Sequence, residues 1–256
     1  MTSLASAAVD KSAPLLAASN LTRRFGGLVA VSDLSMEVWP GEIAGLIGPN
    51  GAGKSTTFNM LSGFLKPSSG RLMLFGKECT GKSPLAISRM GLVRTFQHGS
   101  LIPSMTVRDN ILLGSFHSLS GPRHRERNLR AEETAEIFGL SDYLDYMSGA
   151  LPHGLQRLVG IALAFAARPR LLCLDEPLTG LNQTEVASTL EVFQTIRRSF
   201  DCSILLVEHN MKAVMTVCDR IIVMHHGQYL ASGTPREIQA NDDVVAAYLG
   251  KRHAKQ

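Results

Sequence analysis

The sequence predicts an α/β domain with a parallel sheet and an inserted helical subdomain. Two apolar runs, "RLLCLDE" (170–176) and "CSILLVEH" (202–209), have the length and continuity of buried strands, with an amphipathic helix between them. That strand–helix–strand order is the signature of parallel pairing. From about residue 104 to 167 the pattern is helical throughout, whereas residues 21–48 are rich in strand and turn signals.

The elements follow in order. "MTSLASAAVDKSAPLLAASN" lacks a basic segment followed by a compact apolar core, so residues 1–17 are expected to form a flexible tail rather than a signal peptide. Residues 21–48 read as several short strands with turns at Gly26–Gly27 and Pro40–Gly41, ending in the buried strand "EIAGLIG". "KSTTFNMLSGFL" has helical apolar spacing, and "GRLMLFGKE" (70–78) reads as a strand and turn. "MTVRDNILLGSF" and "AEETAEIFGLSDYL" are helical, with Thr106 and Asp109 spaced for a capped start. The amphipathic helix spans roughly Gln183–Ser199, and "DRIIVMHHGQYLASG" (219–233) reads as a terminal hairpin turning near Gly227. The domain is expected over 18–250, its helical subdomain over about 98–167, and a short tail over 251–256.

Composition excludes several classes. With 45% apolar and 19% charged residues, the 256-residue chain is an ordinary globular protein. Cys79, Cys173, Cys202 and Cys218 show no Cys-x-x-Cys spacing and read as buried free thiols in a reducing compartment. No apolar stretch approaches the ~20 residues that span a bilayer. The net charge of +4 owes much to "RHRER", Arg123–Arg127, expected to be a solvated loop. Neither zinc-finger spacing nor an aromatic ladder accompanies it, so no nucleic-acid partner is expected.

"GPNGAGKST", Gly48–Thr56, fits the phosphate-binding pattern G-x-x-x-x-G-K-[ST] between an apolar strand and a helix. Glycines let successive backbone N–H groups turn toward phosphate oxygens, and the helix aims its positive end at the same anion. Lys54 is placed to reach the β- and γ-phosphates, and Ser55 to ligate Mg2+. "LLCLDEP" ends a strand in two carboxylates: Asp175 to hold Mg2+, and Glu176 to act on an attacking water as general base. "LLVEHN" ends another strand in Glu208 and His209, where His209 would meet the γ-phosphate or the water.

In this order the motifs resemble the ATP-binding subunit of an ABC transporter, from about Leu21 to Gly250. The resemblance implies a P-loop NTPase (RecA-like) core with an antiparallel β subdomain and an inserted α-helical subdomain. It implies MgATP as the nucleotide, cradled by Gly48, Pro49, Asn50, Gly51, Ala52, Gly53, Lys54, Ser55 and Thr56. "RTFQH" places Gln97 where the family's Q-loop glutamine touches Mg2+ and water and couples to the membrane subunit. Phe25 stands where the family stacks an aromatic ring on adenine, and "LTGLN" (178–182) occupies the D-loop.

"LPHGLQR" (151–157) then falls where the family places its Leu-Ser-Gly-Gly-Gln signature, which acts on the ATP of a partner cassette. Leu151 and Gly154 keep the pattern, whereas Pro152, His153 and Leu155 depart from it. Pro152 removes a hydroxyl and a backbone N–H. Losing one charge-assisted donor costs about 2–3 kcal/mol of transition-state stabilisation, some 10²-fold or less. That cost falls on the partner's site, not on this chain's own.

"RRFGGLVAVSDLSMEVWPGEIAGLIGPNGAGKSTTFNMLSGFLKPSSG", "GLVRTFQ", "EHNMKAV" and "VVAAYLG" are similar to the branched-chain amino acid branch of importers. The resemblance implies a second ATP-binding subunit, in a hetero- or homodimer, two transmembrane permease subunits and a periplasmic or extracellular solute-binding protein. The chain would then sit peripherally on the cytoplasmic face of the inner membrane. Two other readings stay open on sequence: a soluble ABC-type ATPase of DNA repair or translation, and a regulatory nucleotide-binding module suggested by Pro152. A GTPase is disfavoured, since no Asn/Thr-Lys-x-Asp motif occurs.

Overall fold

The computed structural model describes residues 12–95, 101–116 and 124–249. The chain opens with two long strands, β1 (Leu16–Phe25) and β2 (Leu28–Val38), joined at Gly26–Gly27. These replace the several short strands expected. The pairing carries register shifts between Ala18 and Leu21, Leu21 and Arg23, and Arg23 and Arg24, which break the period-2 pattern in the sequence. β1 also begins two residues inside the expected tail. Leu15 and Leu16 are buried, and the Leu15 N–H donates to Val38 O at 2.8 Å, so burial holds this segment in the domain.

β3 (Ile43–Ile47) leads into α1 (Lys54–Leu61), followed by β4 (Ser69–Leu74) and β5 (Lys77–Glu78). β1, β2, β4 and β5 form a four-stranded sheet, order β2-β1-β4-β5, antiparallel in every pair. α2 (Pro84–Met90) was not expected, although Ser83 caps it, accepting from Ala86 N, and Pro84 opens it as prolines commonly do. β6 (Leu92–Arg94) precedes the helical region of α3 (Val107–Ser115), α4 (His124–Ile137) and α5 (His153–Ala166). Thr106 caps α3 by accepting from Asp109 N, as its spacing predicts.

Two readings of this region are corrected. The basic run does not form a loop from His124 onward but opens α4, where the Arg127 guanidinium lies 4.3 Å over the Phe116 ring. Arg123 lies outside the described residues. The helix over "AEETAEIFGLSDYL" stops at Ile137, followed by Gly139 at φ 65° and a 3-10 turn at Ser141–Tyr143.

β7 (Leu171–Asp175), α6 (Gln183–Phe200), β8 (Ser203–Val207) and α7 (Met211–Val217) follow, then the hairpin β9 (Arg220–His225) and β10 (Gln228–Gly233). α6 matches its expected span and opens with a reciprocal capping box between Asn182 and Glu185. Two further helices, α8 (Pro235–Gln239) and α9 (Asp242–Leu249), end the described chain. The second sheet is six-stranded, order β10-β9-β3-β8-β7-β6, parallel except for β10.

Every residue of β3, β7 and β8 is buried. This is why they read as continuous apolar runs: helices cover one face of the sheet and the antiparallel subdomain the other. Ile43, Leu172, Ile204 and Ile221 pack with the helical side, whereas Ala44, Leu171, Leu205 and Ile222 pack with Phe58, Leu16 and Leu34 on the opposite side.

Candidate functional site

Three central strands of the parallel sheet deliver chemistry at their C-terminal ends, where open α/β sheets bind ligands. β3 runs into the Gly48–Gly53 loop and α1, β7 ends at Asp175, and β8 is followed by Glu208 and His209. A cleft of about 450 Å3 opens there, lined by Asn50, Lys54, Ser55 and Thr56, by Glu176 and His209, and by Leu28–Ala30.

Gly53 at φ 95° turns the loop into α1 with no side-chain cap and no acidic residue in the first turn. The open N–H groups of α1 suit an anion. Lys54 is buried, and its Nζ donates to Gly48 O at 2.7 Å and Pro49 O at 3.1 Å. Burial lowers its pKa, while the Glu176 and Asp175 carboxylates work the other way. Burial pushes the Tyr248 phenol of α9 up to about 12, and the neighbouring Gly48 backbone works the other way, a proximity the motifs do not announce.

Glu176 follows β7 in a left-handed conformation, φ 48°, and its Oε1 lies 2.7 Å from His209 Nε2. The two residues that sequence assigns to water and γ-phosphate therefore form one hydrogen-bonded pair inside the cleft. His209 is held in place by its neighbour: the buried Glu208 carboxylate accepts from Leu178 N at 2.7 Å, His209 N at 3.0 Å and Asn210 N at 3.3 Å. Burial raises the Asp175 pKa, and the Arg94 guanidinium, 3.2 Å from its Oδ2, opposes that effect.

Motif reasoning missed Arg94 and gave no role to Glu208 or Arg157. Arg94 also donates to Asn59 Oδ1 at 2.7 Å and Ser62 Oγ at 2.9 Å, tying β6 and α1 to Asp175. Arg157 of α5 donates to Glu176 O and to Pro177 O at 3.2 Å, so the helix behind the signature segment grips the strand end bearing Glu176. Only the place of Arg157 at the end of "LPHGLQR" hinted at it.

Phe25 stands at the end of β1, half exposed, with the Arg23 guanidinium 4.6 Å over its ring. It lies beside the Leu28–Ala30 wall but does not itself line the cleft. Gln97 lies outside the described residues. The signature segment is also apart from this cleft. Leu151 is buried, Pro152 is the N-cap of α5, and His153, Gly154 and Leu155 form its first turn, which has no side-chain cap. His153 lies against Gly180, where a Cβ would stand 3.2 Å from its Cε1. A Cβ on Gly154 would stand 2.2 Å from Glu185 Oε1, so a larger residue there would have to displace that carboxylate from the capped start of α6.

The chain is similar to known proteins over nearly its whole length. The family model described as ABC transporter matches residues 31–179, and one described as branched-chain amino acid ATP-binding cassette transporter matches 230–254. The high-affinity branched-chain amino acid transport ATP-binding protein LivG of Escherichia coli (strain K12) is 42% identical, covering 94% of this chain and 99% of that protein. BraF of Pseudomonas aeruginosa, which carries the same description, is 40% identical over the same shares. Among solved structures, the ADP conformation of an ATP-binding cassette of an ABC transporter aligns with a TM-score of 0.85 at 30% identity, over 93% of this chain and all of that one. A nucleotide-free cassette aligns at 0.84 and 29% identity. With more than half of its length matched by the family model, and relatives that run nearly end to end with it, the chain belongs to the ABC transporter family of ATP-binding cassettes.

Proposed function

We propose that this chain is the ATP-binding subunit of an importer of amino acids of the branched-chain type, or of related small polar solutes. It hydrolyses MgATP at the interface of a cassette dimer. The observation that carries this reading is the 2.7 Å contact between Glu176 and His209 in the same cleft as the Lys54 loop. The substrate class rests on LivG and BraF, whose names assign branched-chain amino acid transport to them.

In this reading the loop N–H groups and the α1 N-terminus hold the phosphates, and Lys54 exchanges its contacts with Gly48 O and Pro49 O for phosphate oxygens. Water attacks the γ-phosphorus as the bond to the β-phosphate oxygen breaks, and Glu176 takes the proton of that water. His209, donating from Nε2 to Glu176 Oε1, orients the carboxylate and faces the γ-phosphate. The Ser55 hydroxyl and Asp175 carboxylate are hard oxygen donors, which fit Mg2+ held jointly with substrate phosphates. The ion supplies charge neutralisation there, with Gln97 as a further ligand. Phe25 offers its open ring face to adenine.

Leu151, Pro152, His153, Gly154 and Leu155 are presented to the ATP of a second cassette. Two permease subunits and a solute-binding protein complete the importer, with this chain peripheral on the cytoplasmic face. No helix among the described residues is long and apolar enough to cross a membrane.

The test is Glu176→Gln. The variant should bind ATP, accumulate as an ATP-bound dimer in size-exclusion chromatography and lose phosphate release by about 10²-fold or more. Undiminished turnover would sink the assignment.

A further inference from the structure

The β9–β10 turn contributes to the nucleotide cleft, yet it belongs to none of the motifs read from the sequence. His225 pairs with Gln228 across the hairpin, which leaves His226 and Gly227 as a two-residue loop. Both have positive φ, 47° and 78°, the mark of the type I′ hairpin turn. That turn favours Asn, Asp or Gly at its first central position, and histidine is among the side chains that also adopt positive φ, so the turn presents an imidazole at its tip.

The turn is clamped on both sides. The Gly227 N–H donates to Ala52 O at 3.1 Å, and Gly227 O accepts from Ser32 N at 2.8 Å. A Cβ on Gly227 would stand 2.7 Å from Ala30 O, so the backbone cannot retreat. His226 consequently lines the cleft between the Leu28–Ala30 wall and the phosphate loop. Its exposed ring lies against that of His225, with centroids 4.0 Å apart.

We propose that His226 donates a ring N–H to the bound nucleotide at the ribose–α-phosphate segment. This rests on the reading of the cleft as the ATP site. The turn is tied to Ser32 and Ala52, whereas Glu176 and His209 mark the γ-phosphate end. The contact therefore falls on the part that ATP and ADP share, and it discriminates neither between them nor between ground state and transition state. His226 is a nucleotide-binding residue that sets affinity and leaves the chemical step to Glu176.

The experiment is calorimetric titration of the full-length chain with MgADP and with a non-hydrolysable MgATP analogue, alongside thermal melting. His226→Gly removes the donor while adopting this backbone freely. His226→Asn installs the residue the turn favours, with an amide that stops short of the imidazole nitrogens. Both variants should keep or raise the melting temperature and lose about tenfold in affinity for both nucleotides, the size of one hydrogen bond to a charged partner. Wild-type affinity in either variant, or a loss confined to the triphosphate analogue, overturns the proposal. Lys54→Ala separates this outcome from failure of the site itself. If that variant binds MgADP as tightly as the parent chain, the phosphate-loop reading fails. If it loses binding while His226→Gly does not, only the role of His226 fails.

Discussion

Replacing Arg94 by methionine should cost far more than the loss of a surface ion pair. Arg94 and Asp175 are both only 9% exposed at their side chains, and 3.2 Å separates Nη2 from Oδ2. The same guanidinium donates to Asn59 and Ser62 and lies 4.8 Å over the Phe58 ring. Methionine keeps the apolar packing but leaves the Asp175 carboxylate buried without its cation. Breaking one partner of a buried pair costs about 3–5 kcal/mol, against about 0–1 kcal/mol for an exposed pair. In a chain of this length each kcal/mol lowers the melting temperature by about 2–4 °C, so the loss should be about 6–20 °C. The assay is urea unfolding and thermal melting of the nucleotide-free chain. Arg108→Ala serves as the internal control, because its pairs with Glu132 and Asp145 are solvent-exposed. The double variant Arg94→Met, Asp175→Leu replaces both charges by apolar groups and should recover most of the loss. A single variant that falls by less than about 1 kcal/mol, or a double variant no better than the single, would refute this account of the pair.

Two further outcomes follow from burial. Glu208→Ala removes the acceptor for three backbone N–H groups, at Leu178, His209 and Asn210. The Leu178 donor is buried, and a buried donor left alone costs about 1–3 kcal/mol, so the variant should be destabilised by about that much and lose most of its ATP hydrolysis as His209 shifts; retention of parental melting and turnover would count against the capping role. The four cysteines are buried, and burial pushes the thiols of Cys79 up to about 11 and of Cys202 and Cys218 up to about 12, with Cys173 raised as well. With so little thiolate at pH 8, the native chain should resist a thiol reagent and the urea-unfolded chain should react at all four; rapid labelling of any one in the native chain contradicts the packing.

The chemistry legible in the sequence was chemistry whose geometry is local. A strand fixes where the next residues emerge, so "GPNGAGKST", "LLCLDEP" and "VEHN" each place their groups by counting from a buried run. The side chains that hold those groups in place come from elsewhere. Arg94 is 81 residues from Asp175, and no spacing rule joins a short strand to a carboxylate two motifs away. Glu208 was visible as a strand-end carboxylate, but whether it faced solvent or backbone depended on Leu178, brought near by the next strand. The long β1–β2 ribbon was hidden by its own bulges, which cancel alternation where the strands twist most. In α8, by contrast, Thr234, Pro235 and Glu237 announce a capping box and a proline start that strand reasoning passed over. The signature segment shows both limits together. Pro152 and the bare first turn of α5 were readable, but the closeness of Gly154 to Glu185 was not. Glu185 also caps Asn182, so one carboxylate stands at both the first turn of α5 and the start of α6. That meeting of two segments is a product of the fold, which no comparison of motif letters could supply.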